Sequence, residues 1–203
     1  MLQPELLVKS EKLSSFIAFV HATIAKTSNS KTLVSRLTDP FTRMLFEDFI
    51  PTPLTQTIPN TFAQYLLYRS FRPELSLMAM VVPSGIATPV HDHMAWGLVG
   101  VYQGEQKENV YSYNAILPST QSLVLKDVHS LRRGDVTSIL PPENDIHMIE
   151  TTSEIPSISL HLLATDIGCK IRHTYDLTSG AMQNFQSGYA NAECKPQKPS
   201  ETS

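Results

Sequence analysis

From about Phe62 onward the chain falls into short apolar runs, each closed by turn residues, and this punctuation limits the fold more than any other feature. Leu75-Ser76-Leu77-Met78-Ala79-Met80-Val81-Val82 reads as a strand that stops at Pro83-Ser84-Gly85. The runs Trp96–Tyr102 and Val110–Tyr113 flank Gln103-Gly104-Glu105, which predicts a hairpin. Ser122–Val128, Asp135–Leu140, His147–Thr152 and Ser157–Leu163 read as further strands. Strands recurring roughly 8–12 residues apart predict a sandwich or a barrel. The 14 prolines and 8 glycines fit many turns better than a helical bundle.

Ahead of the strands, residues 5–50 read as helical. Leu13, Phe16, Ile17, Val20 and Ile24 recur at spacings of three and four, the mark of one apolar face. A second periodic stretch, Lys31 to Phe49, is interrupted by Asp39-Pro40, with Asp39 as a cap and Pro40 opening a new helix. Residues 1–60 are therefore expected to form a helical flank and 61–183 the β domain. Residues 184–203, rich in Ser, Lys, Pro and Gln, are expected to form a loose polar tail.

A net charge of −3 with no long basic run argues against nucleic acid as a partner. Phe16 to Ala25 is too short to span a bilayer and is broken by His21, so no membrane is expected. With two cysteines, one in the polar tail, a disulfide framework is not expected and a reducing compartment is the default. The reading is a soluble, cytoplasmic protein, monomer or homodimer.

His91 and His93 stand two apart beside strand-like sequence, and His147 lies downstream. Residues i and i+2 of a strand share a face, so two imidazoles can aim at one point. A neighbouring strand could add His147, giving three neutral nitrogen ligands and leaving positions open for a substrate. A polar strand edge is the bland alternative for a His-x-His pair.

The surroundings favour the metal. Gly85, five residues, His91-Asp92-His93, three residues, Gly97, six residues and Gly104 resemble the first motif of the cupin superfamily. Gly134, Pro142 and His147 resemble its looser second motif. The resemblance implies a mainly β fold, a cupin double-stranded β-helix barrel of jelly-roll type, here with the N-terminal α-helical flank. Gly97 stands where many cupins carry a glutamate ligand. Three neutral ligands leave the full charge of a divalent metal uncompensated, which favours an anionic donor such as a thiolate.

Three-histidine iron in a cupin resembles the thiol dioxygenases, the group of cysteine dioxygenase and 3-mercaptopropionate dioxygenase. Pro89-Val90-His91-Asp92-His93-Met94-Ala95-Trp96-Gly97 is similar to the ligand segment of bacterial members. Ser159-Leu160-His161-Leu162-Leu163 is similar to the family's Ser-x-His-x-Tyr, with Leu163 in place of the tyrosine. The family's cysteine–tyrosine crosslink cannot form between Gly97 and Leu163. Arg172 lies where the 3-mercaptopropionate type has its carboxylate-binding arginine, and Arg69 and Arg72 lie in the upstream region that supplies it in the animal cysteine type.

The resemblance implies Fe(2+) on His91, His93 and His147, catalytic support from Ser159 and His161, and substrate contacts from Arg172 or Arg72 and from Leu163. The implied reaction oxidises a small thiol, 3-mercaptopropionate or cysteine-like, with O2 to its sulfinate. The alternatives are a cupin dioxygenase acting on a carbon substrate and a non-catalytic cupin that binds a metal or small ligand. His161 could instead be a core histidine satisfied by backbone, and Arg172 a surface partner of Asp166 or Asp176. Trp96 reads as packing, Cys169 as a small buried residue, and His21, His129 and His173 show no partner pattern.

Overall fold

The computed structural model describes residues 2–113 and 122–195. In chain order the strands are β1 (Glu5–Leu6), β2 (Ala63–Phe71), β3 (Glu74–Val82), β4 (Val90–His91), β5 (Gly97–Gln103) and β6 (Glu105–Tyr113). They continue with β7 (Leu123–Arg132), β8 (Val136–Ile139), β9 (Ile146–Thr151), β10 (Ser157–Leu163), β11 (Arg172–Tyr175) and β12 (Met182–Phe185). Helices α1 (Glu11–Ile24) and α2 (Ser30–Met44) follow β1.

Among the described residues the strands form two sheets, ordered β1-β2-β3-β10-β5-β8 and β12-β11-β4-β9-β6-β7, with every pairing antiparallel. This is the expected cupin barrel, mostly β with two N-terminal helices.

The unbroken apolar run of β3 has a simple cause: both of its faces are buried. Leu75, Leu77, Ala79 and Val81 join the core beneath the helices, whereas Met78, Met80 and Val82 line the interior between the sheets. In β10, Ile158, Leu160 and Leu162 likewise meet the helical core. Its alternate residues Ser159, His161 and Leu163, all fully buried, are left to face the barrel interior.

The helices cover that sheet's outer face, and β1 closes its β2 edge through Glu5↔Arg69 and Leu6↔Tyr68. Ser10 caps α1 by accepting from the Leu13 N–H at 3.3 Å, and Asn29 caps α2 by accepting from the Thr32 N–H at 2.9 Å. Pro40 does not start a helix, contrary to expectation; α2 runs through it. Its buried stripe of Leu33, Val34, Leu37, Phe41 and Met44 spans the proline, and that packing outweighs the roughly 3 kcal/mol an internal proline costs. No helix among the described residues is long and apolar enough to cross a membrane.

Three other expectations need correction. Gln103-Gly104-Glu105 is not a hairpin: β5 and β6 belong to different sheets, and Gly104, at φ +74, is where the chain crosses between them. A Cβ there would lie 2.8 Å from the Ser153 hydroxyl and 3.0 Å from the Ser157 Cα.

The second correction concerns the tail, which as far as residue 195 is not loose. The Asn191 side chain both accepts from the Leu66 N–H (2.8 Å) and donates to its carbonyl (3.0 Å), and the Ala190 N–H donates to the Gln64 carbonyl (2.8 Å). Residues 196–203 of the expected tail lie outside the described residues. Third, Cys169 and Cys194, with Cα atoms 5.4 Å apart, form a disulfide. The chain folds back to bring together cysteines 25 residues apart, so cysteine count is no guide to the compartment.

Candidate metal centre

His91 and His147 sit directly opposite one another on β4 and β9, so their imidazoles rise side by side from one sheet. His93 lies past the end of β4 and owes its position to something other than strand alternation. Asp145 accepts from the His93 N–H (2.9 Å) and the Met94 N–H (3.1 Å), holding the turn in which Met94 takes φ +55. One potential ligand atom from each histidine lies within 4.8 Å of those of the others, and all three residues are buried.

Each imidazole is held from behind. His91 Nδ1 contacts the Pro89 carbonyl at 2.9 Å, His93 Nδ1 the Asp145 carbonyl at 3.1 Å and His147 Nδ1 the Glu108 carboxylate at 2.6 Å. Carbonyl and carboxylate oxygens only accept, so every Nδ1 donates, and in a neutral imidazole that leaves the lone pair on Nε2. The Nε2 of His147 is buried with no partner among the described residues. Burial first, then the charges of Arg172 and the neighbouring histidines, holds His91 and His93 well below the usual histidine pKa, so both are neutral. The Nε2 atoms of three such imidazoles, once unprotonated, fit a borderline divalent metal ion.

Glu108, only 3% exposed, was not singled out in the sequence. Burial pushes its carboxyl up, but hydrogen bonds from His147 and His129 and their charges outweigh that and bring it down to about 2. His129 thus has a partner, Glu108 Oε2 at 3.0 Å. His173 has one in Asp92 at 2.7 Å, and His21 contacts the Tyr68 hydroxyl at 2.7 Å. The available signal was that Gln106 and Glu108 alternate with period two in a strand whose neighbour Val110 is apolar and buried.

On the opposing sheet, Ser159 Oγ lies 2.9 Å from His161 Nε2. Gln106 donates to Ser159 at 3.3 Å, and when the serine in turn donates to His161 Nε2 the imidazole proton stands on Nδ1. That Nδ1 is buried without a partner, so the backbone-satisfied reading of His161 does not hold. Burial, then the charges of His147 and Arg172, lowers its pKa to about 3. Leu163 pairs in register with Gly97 and packs with Met78, Met80, Val99 and Ile149. Trp96 packs against the helical core, as expected.

The three arginines differ. Arg172, 2% exposed, donates to the Asp92 carbonyl (3.0 Å) and the Ser187 hydroxyl (3.2 Å), and its guanidinium lies 4.3 Å from the Phe185 ring centre. Its Nε is buried with no partner among the described residues. Among the described residues no carboxylate lies within 4.0 Å of it, so neither Asp166 nor Asp176 is its ion pair. Burial lowers its pKa to about 10, and it stays charged. Arg69 is committed to Glu5 (2.7 Å) and Asp166 (3.2 Å). Arg72 is exposed in the turn between β2 and β3.

A two-sheet β barrel with three inward-facing histidines defines the class: a cupin with a candidate metal centre. Residues 72–171, just under half of the chain, match the family model described as cysteine dioxygenase type I, so that stretch is similar to the cupin-type thiol dioxygenases. Similar solved structures include a protein from Thermus thermophilus, at 17% identity and TM-score 0.45, covering 59% of this chain and 98% of that one. An uncharacterized conserved protein with a double-stranded β-helix domain from Klebsiella pneumoniae subsp. pneumoniae is 13% identical, covering 68% and 97%, with TM-score 0.45. The cupin domain of an XRE family transcriptional regulator from Enterobacter cloacae is 11% identical, covering 51% and 95%, with TM-score 0.38.

Proposed function

We propose that the protein is a non-haem iron(II) dioxygenase that converts a small carboxylated thiol, of the 3-mercaptopropionate type, to its sulfinate. The observation that carries this is a buried Arg172 whose Nη1 donates to the carbonyl of Asp92, the residue between His91 and His93, while no carboxylate among the described residues lies within 4.0 Å of its guanidinium. His91, His93 and His147 would hold the iron, which supplies the redox chemistry that joins O2 to sulfur.

The protein's own residues supply binding and orientation. Arg172 receives the substrate carboxylate through its unused N–H groups, fixing the distance from carboxylate to thiol. The His161 Nδ1–H, backed by Ser159 and Gln106, donates a hydrogen bond to the reactants. Leu163, Met78 and Met80 keep water out. The balance is RSH + O2 → RSO2H, so no external reductant is needed.

Protein loaded anaerobically with iron(II) is expected to consume one O2 per sulfinate formed with 3-mercaptopropionate, and little with cysteamine, which lacks the carboxylate. Iron-replete protein that consumes no O2 with any thiol would overturn the proposal. The apolar wall around Leu163 favours a second reading, a dioxygenase of carbon substrates, which product analysis would separate.

A further inference from the structure

Residues 182–194 return across the barrel and end at the Cys169–Cys194 disulfide. This segment contributes two side chains at the arginine. Phe185 pairs in register with Arg172, covers one face of its guanidinium at 4.3 Å, and meets the His91 ring edge-on at 6.4 Å. Ser187 accepts from Arg172 Nη2 at 3.2 Å. Among the described residues only the Asp92 carbonyl, on Nη1, comes from elsewhere. Two of the five guanidinium donors are thereby engaged, and Nε stays open.

The segment is fixed along its length. The Gly188 N–H donates to the Gly168 carbonyl at 2.8 Å, the Tyr189 hydroxyl to Asp166 at 2.7 Å, and Asn191 clasps Leu66. Such anchoring is more than a polar terminus needs, and its product is a guanidinium whose plane and rotation are both set.

We propose that Phe185 and Ser187 are positioning residues that orient Arg172 to take a carboxylate through its Nε edge, so that selectivity for carboxylated thiols resides in this C-terminal segment. This rests on the reading that Arg172 anchors the substrate. Phe185 blocks one face and leaves the in-plane edge for a planar anion. Ser187 and Asp92 tie the two terminal nitrogens and so hold the rigid guanidinium plane against rotation about Cδ–Nε.

The test is anaerobic calorimetric titration of iron(II)-loaded protein with 3-mercaptopropionate and, separately, cysteamine. Ser187→Ala and Phe185→Leu are each expected to weaken 3-mercaptopropionate binding by about tenfold, the loss of one charged hydrogen bond or one ring–cation contact. Cysteamine affinity, iron content and melting temperature should not move, and Ser187→Thr and Phe185→Tyr should restore binding. Equal losses for both thiols would show a merely structural role and overturn the proposal, as would no loss or a wild-type protein with no preference for the carboxylate. If binding behaves as expected but no O2 is consumed, the dioxygenase reading fails and the anion site stands.

Discussion

Arg69 and Arg172 are equally buried, each 2% exposed, and each lies on the sequence side of a plausible substrate role. At the β1–β2 edge, Arg69 meets Glu5 and Asp166 within 3.2 Å, and with Lys195 on Glu5 the two cations balance the two carboxylates. At the β11–β12 edge, Arg172 meets a carbonyl, a hydroxyl and an aromatic face, all neutral. Burying an unpaired charge is costly, so a protein keeps one where an anion visits. What separates a structural arginine from a binding one is therefore its partner and not its depth.

The greatest loss of stability should come from the balanced side. Arg69→Ala should destabilise the fold by about 3–5 kcal/mol in denaturant titrations, because it strands Asp166 in the interior. Arg172→Ala should leave stability within about 1 kcal/mol or raise it, since no carboxylate is stranded. Its cost should appear in 3-mercaptopropionate binding, weakened at least about thirtyfold. If the two variants exchange phenotypes, the distinction between the two arginines is wrong.

Glu108 tests the same distinction from a third position, since it is fully partnered yet sits behind a candidate ligand. Glu108→Gln keeps the shape but loses the charge behind His147, and iron affinity should fall about 10–100-fold in competition with a chelator.

The faintest of these signals is in acid. Unfolded histidines take up protons near pH 6.5, whereas native His161 resists down to about 3. Between those values the unfolded state binds more protons, so metal-free protein loses stability as pH falls through this window. Arg172 is one cause of that lowered pKa, so the dependence should be shallower in Arg172→Ala and unchanged in Arg69→Ala.

The barrel and the histidine triad were legible because both follow short-range rules: period-two alternation, turn residues and fixed intervals between glycines. His93 shows the limit. It was assigned by strand alternation, yet Asp145, some fifty residues away, is what turns it inward. Glu108 was missed because one acidic residue in a strand carries no local sign of a histidine paired with it across the sheet. The C-terminal segment was misjudged for a similar reason. Its composition is polar, but a few well-spaced residues, Phe185, Tyr189 and Asn191, do the anchoring, and average composition cannot register them. Gly104 looked like a turn because a crossing between sheets uses the same left-handed backbone as a hairpin.

Gly97 bears on how this site could change by mutation. A Cβ at that position would lie 2.4 Å from Leu163 Cδ2 and 2.7 Å from the Leu162 carbonyl oxygen, and the latter is backbone that cannot swing aside. Even alanine would force β5 and β10 apart. A carboxylate ligand, found at this place in many other cupins, is one base change away in the code but not in the structure: the strand pairing would have to move first. The all-histidine donor set is held by steric exclusion, and the route from this barrel to a carboxylate-bearing one passes through variants that pack worse than either end point.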